Sequence, residues 1–102
     1  MLELRPNCEL CDADLPPDAE NARICSYECT FCADCVDHVL YDVCPNCGGG
    51  FAPRPLRPRE AWREGAGLLS HPADTRRRSS KYSDDEIAAF AEKLRGTPPG
   101  QR

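Results

Sequence analysis

The sequence predicts a small metal-stabilised domain with little regular secondary structure, followed by a flexible tail that carries one short helix. Three observations lead there. The chain has 102 residues, a length that holds one core at most. Eight of those residues are Cys, all between Cys8 and Cys47, a density that belongs to disulfide scaffolds or metal modules. Large apolar residues in residues 1–53 are few: Leu2, Leu4, Leu10, Leu15, Ile24, Tyr27, Phe31, Val36, Val39, Leu40, Tyr41, Val43 and Phe51. That set is too small to hold the segment together unaided, so metal, disulfide or partner has to supply the rest.

Residues 1–53 form the expected head. Ile24 to Phe31 carries scattered apolar residues and suits a short hairpin. Val36, Val39, Leu40 and Val43 fall at i, i+3, i+4 and i+7, the period of one or two helical turns. Cys44-Pro-Asn-Cys47 runs into Gly48-Gly-Gly50 and reads as a turn. Residues 54–82 are rich in Pro and Arg and lack periodicity, so a flexible linker is expected, with Trp62, Leu68 and Leu69 as residues able to dock on the head. Residues 83–96 read as a helix. Ser83-Asp-Asp-Glu86 is a capping-box pattern, Ile87, Phe90, Ala91 and Leu94 form one apolar stripe, and Gly96 and Pro98 stop it. About twelve residues are marginal for an isolated helix in water. The stripe therefore needs either the head or another protein. Residues 97–102 are expected to be disordered.

Charge divides the chain. Residues 1–53 hold two bases against ten acids, a net of −8, and residues 54–102 hold eleven bases against seven acids, a net of +4. An acidic head repels phosphate backbones and attracts its own basic tail or a basic partner. No apolar run approaches the ~18 residues of a membrane helix. Met1-Leu-Glu-Leu-Arg5 does not open a secretory signal. A cytoplasmic setting is expected, where structural disulfides are rare.

The Cys spacing is the sharpest signal. Cys8-x2-Cys11, Cys25-x3-Cys29, Cys32-x2-Cys35 and Cys44-x2-Cys47 are four close pairs. Eight thiolates complete two tetrahedral sites, and zinc accepts four thiolates without a geometric preference of its own. Two zinc ions per chain are expected. A two-residue gap lets both sulfurs of a tight turn face one ion while backbone N–H groups soften their charge. Disulfides, a thioredoxin-type redox pair and an iron–sulfur cluster are the alternatives, the last because Cys25, Cys29, Cys32 and Cys35 form one run. Ligands can be shared by interleaving the pairs or by taking them in sequence. His38 is read as a polar helix residue, and His71 has no visible partners.

Cys29-Thr-Phe-Cys32-Ala-Asp-Cys35 and Cys44-Pro-Asn-Cys47 resemble the central and final segments of a RING finger, in an all-Cys variant with Cys29 where His usually stands. The resemblance covers Cys8 to Cys47. It implies a RING-like cross-brace: Cys8, Cys11, Cys32 and Cys35 on one zinc, and Cys25, Cys29, Cys44 and Cys47 on the other. A closer likeness spans residues 1–58. Met1-Leu-Glu-Leu-Arg-Pro-Asn-Cys8, Asp14-Leu-Pro-Pro17, Ala22-Arg-Ile-Cys25 and Cys44-Pro-Asn-Cys-Gly-Gly49 resemble small bacterial Cys-rich proteins of domain-of-unknown-function family 1272. That likeness implies a bacterial cytosolic metal-binding protein and supplies no activity.

An enzyme is not expected, because a zinc held by four thiolates has no open position and no separate nucleophile arrangement is visible. The leading expectation is a structural zinc module acting as a protein-interaction adaptor, with Leu10, Pro45, the Val36–Val43 face and the C-terminal helix as contacts. The alternatives are a RING-type ubiquitin-ligase-like scaffold, a nucleic-acid-associated protein reading through Arg76-Arg-Arg78, and a zinc or redox sensor. Gly48 stands where RING ligases often carry a base. With an acidic head and sparse aromatics, a nucleic-acid partner is disfavoured.

Overall fold

The computed structural model describes residues 1–102. Its centre is a hairpin of β1 (Ala22–Ile24) and β2 (Thr30–Cys32), antiparallel, with Arg23 opposite Phe31. A third strand, β3 (Ala52–Pro53), adds to the other side of β1, giving the order β2-β1-β3. Pro53 is tolerated there because β3 is an edge strand and needs no donor on its open side. The hairpin places Cys25 and Cys29 at its turn and Cys32 at the end of β2.

Directly after β2 the chain enters α1 (Ala33–Cys35), which widens into a π-helical segment, Val36–Leu40. The wider turn differs from the regular period expected for Val36 to Val43. Val36, Leu40 and Val43 are buried, but Val39 is exposed. Tyr41 and Asp42 end the segment, both with left-handed backbones. The Asp42 carboxylate then accepts the Phe51 N–H at 2.9 Å, which anchors the chain as it enters β3.

The core contains few aliphatic side chains. Phe31 is fully buried and meets Phe51 edge-on, with ring centroids 5.5 Å apart. Of the twelve residues in the main buried cluster, six are Cys: Cys8, Cys25, Cys29, Cys32, Cys35 and Cys44. Thiol sulfurs thus occupy the space that branched side chains fill in larger domains.

Residues 54–82 have almost no regular secondary structure, but they lie against the head, which differs from the expected flexible linker. Arg54 is buried, and its guanidinium donates to the carbonyls of Arg5, Leu15 and Pro16. Arg57 donates to Leu2 O and His71 O, which ties both ends of an intervening loop to the N-terminus. Residues 74–80 then run beside residues 4–9. Asp74 N–H donates to Leu4 O, Asn7 exchanges two hydrogen bonds with the Arg78 backbone, and Ser80 N–H donates to Glu9 O. Charge adds to these backbone bonds: at the surface Arg77 pairs with Asp12 and Asp14 of the head, Arg78 pairs with Glu3, and Arg78 also pairs with Asp74 within the tail. Trp62 and Leu69, expected as possible docking residues, are 77% and 89% exposed.

The C-terminal helix α2 (Asp84–Leu94) begins with a complete capping box. Glu86 N–H donates to Ser83 Oγ, and Ser83 N–H to the Glu86 carboxylate. Ile87 and Ala91 are buried, with Ile87 part of the main cluster, so the helix covers the head. A short 3-10 turn, Pro99–Gln101, follows in place of the expected disordered end. The Arg102 guanidinium donates to the carbonyls of Asp42 and Gly48.

Candidate metal centre

The eight Cys converge on two places. The sulfurs of Cys8, Cys11, Cys32 and Cys35 all lie within 4.8 Å of one another, and so do those of Cys25, Cys44 and Cys47. Cys29 falls outside the second set, although its thiol meets those of Cys25 and Cys44. The first cluster joins the N-terminal loop to the β2–α1 junction. The second joins the hairpin turn to the loop after the π-helical segment.

Each pair sits in a turn whose backbone faces the sulfur. Cys11 N–H donates to Cys8 Sγ at 3.5 Å, Tyr27 N–H to Cys25 Sγ at 3.4 Å, and Gly49 N–H to Cys47 Sγ at 3.4 Å. These bonds stabilise thiolate over thiol. The last turn depends on Gly48, which is buried with φ +81°. A Cβ there would meet Leu94 Cδ1 at 3.3 Å and force a left-handed backbone on a side chain.

All eight Cys are free. Cys11 Sγ and Cys32 Sγ are 3.7 Å apart, well beyond a bonded pair at ~2.05 Å. A tetrahedral site with metal–sulfur bonds of ~2.3 Å has sulfur–sulfur edges of about 3.8 Å, so this spacing suits a shared cation. The two clusters fit an all-Cys zinc module.

The thiols also titrate as crowded donors do. Cys25 is pulled down to about 3, first by the Cys29 thiol and then by that of Cys44. Cys44 is pushed up, first by the Cys25 thiol and then by that of Cys29. Burial and the adjacent sulfurs push up Cys35, and burial is the first cause for Cys32. Neighbouring sulfurs resist becoming anions together, and a divalent cation among them removes that resistance.

His38 is exposed and stands in neither cluster. Leu10 is half-buried against the core, while Pro45 is buried and lies beside Ile87 and Phe90 of α2. Sequence reasoning missed the supports of the site. Glu9 is buried and accepts the Thr30 N–H at 2.6 Å, and Asn7 is buried between Cys8 O, Asp12 and the Arg78 backbone. Their polar side chains read as surface until the tail is laid over them.

No helix is long and apolar enough to cross a membrane. Residues 1–57 match a family described as a protein of unknown function, DUF1272. An uncharacterized protein of Rhizobium meliloti (strain 1021) is 53% identical over 77 residues, which is 76% of this chain and 84% of the relative. No solved structure matches.

Proposed function

The chain belongs to the DUF1272 family of proteins of unknown function, and from that premise we propose that it is a cytoplasmic two-zinc module that serves as a protein-interaction adaptor. The observation that carries the zinc reading is the make-up of the core, half of whose main buried cluster is Cys. Cys8, Cys11, Cys32 and Cys35 would hold one ion; Cys25, Cys29, Cys44 and Cys47 would hold the other, in an interleaved, RING-like cross-brace. Zinc supplies charge neutralisation and a rigid crosslink there. Four thiolates leave no position for water or substrate, so the reading is structural rather than enzymatic.

The adaptor reading rests on where apolar surface remains. Ile87 and Ala91 of α2 and Pro45 are buried within the chain, so the apolar side chains left for contact are Leu56, Trp62 and Leu69, together with Val39 of the Val36–Val43 face, all exposed. The burial of Pro45 and Leu40 also counts against a ligase-like scaffold, whose contact face would include them. The ion pairs of Arg77 and Arg78 with Asp12, Asp14, Glu3 and Asp74 engage two of the three bases of Arg76-Arg-Arg78.

Metal analysis of untagged protein is expected to give two zinc ions per chain, and a chelator is expected to abolish the dispersed amide signals of residues 1–53. A chelated head that keeps its dispersion would refute the zinc core. For the adaptor reading, Trp62→Ala with Leu69→Ala is expected to release a captured partner without changing zinc content. Retention of every partner by that variant would refute the contact face.

A further inference from the structure

The two sulfur clusters differ in ways that separate their roles. In the first, four sulfurs already share one 4.8 Å neighbourhood; in the second, Cys25, Cys44 and Cys47 do, while Cys29 meets Cys25 and Cys44 but lies outside the shared set. A shallow, open recess of about 410 Å3 leads to the second cluster, bounded by Tyr27, Asn46, Cys29 and Cys47. Two cysteines of one cluster, Cys29 and Cys47, therefore line a single open space wide enough for a small molecule. Glu28, just before Cys29, has a left-handed backbone with φ +66°, an uncommon conformation for a residue with a side chain.

The far side of the same turn carries α2. Asn46 and Pro45 lie between Cys44 and Cys47, and both border the helix together with Ile87 and Phe90. The Cβ position of Gly48 is 3.3 Å from Leu94 Cδ1 and 3.5 Å from Phe90 Cζ. An eleven-residue helix has little stability apart from its docking surface. The turn over residues 44–48 is thus shared between a metal site on one side and a marginal helix on the other.

We propose that the second cluster is an exchange site for its metal ion, entered by a low-molecular-weight thiol through the Tyr27–Asn46 recess, and that α2 undocks when the ion leaves. This rests on the zinc reading above. The exchange balances as ligand substitution. The incoming thiol forms a sulfur–zinc bond, the Cys29–zinc bond breaks, and Cys29 takes the proton the incoming thiol gives up. No electrons change hands. Repetition at Cys47 and the two remaining ligands carries the ion away. The freed turn no longer supports Leu94 and Phe90, so the helix melts and exposes Ile87, Phe90, Ala91 and Leu94. Coupling is reciprocal: undocking the helix must also loosen the ion.

The test follows zinc transfer from the full-length zinc-loaded protein to a chromophoric chelator in the presence of glutathione, with helical circular dichroism recorded in parallel. Two phases of equal amplitude are expected, with the helical signal lost in the fast one. Cys29→Ser is expected to accelerate the fast phase alone. Ile87→Asp, which undocks α2 and leaves all ligands in place, is expected to weaken the zinc affinity of the more weakly held site about tenfold in competition with the chelator and leave the other site unchanged. Two ions leaving in one phase, helical signal lost with the slow phase, or an Ile87→Asp variant with both zinc affinities unaltered would each overturn the proposal while leaving the zinc reading intact. Absence of zinc in both phases would overturn both.

Discussion

Arg54 is 3% exposed and has no acid beside it. Burial pulls its guanidinium below the usual arginine range, and three main-chain carbonyls hold its charge. Arg54→Met keeps much of the volume and removes the donors. The expected cost is about 3 kcal/mol in denaturant unfolding of the zinc-loaded protein, with zinc content unchanged. Proton linkage enters through the clustered thiols, each of which titrates together with its neighbours. Cys32, Cys35 and Cys44 are pushed up, so they hold protons at neutral pH in the metal-free chain, whereas Cys25, drawn down to about 3, does not. Metal binding must displace the held protons, so affinity is expected to rise with pH between about 6 and 8. Calorimetry in buffers of different ionisation enthalpy reads the released protons directly; zero release would contradict the assignment. Without metal the signs divide. The Cys25 contribution is present above the ordinary thiol range and is lost as pH falls through about 3, whereas the raised thiols contribute below that range and lose it as pH rises.

At the scale of elements, α2 was the most legible part of the sequence, because capping box, stripe and stop signals agree over a dozen positions. Ser83→Ala removes the acceptor for Glu86 N–H and is expected to cost about 1 kcal/mol, seen as reduced helical circular dichroism before any zinc is released. Where the helix docks was not legible. The receiving surface is assembled from Pro45, Gly48 and the π-helical segment, residues that become neighbours only when the second cluster closes. The π-helical widening was hidden for a similar reason: Val39 fits the regular period, but the chain swings it outward so that Leu40 and Val43 can pack. β3 was invisible because Ala52–Pro53 has no strand propensity and pairs only because β1 offers an open edge.

For the molecule as a whole, the pairs of Cys could be read at once, because short spacings are local. Their grouping across the chain is a tertiary fact, and the sequence alone left interleaved and sequential sharing both open. The opposite charges of head and tail were equally plain, yet only the structure turns them into the specific pairs of Arg77 and Arg78 that lay residues 74–80 along residues 4–9. The chain spans 46 Å in its longest direction and 18 Å in its shortest, and Trp62, its one indole, is 77% exposed. That indole already sees water in the native state. Its emission maximum will therefore barely shift when the interior melts, and a thermal melt followed by intrinsic fluorescence will look flat across a transition that calorimetry records in full.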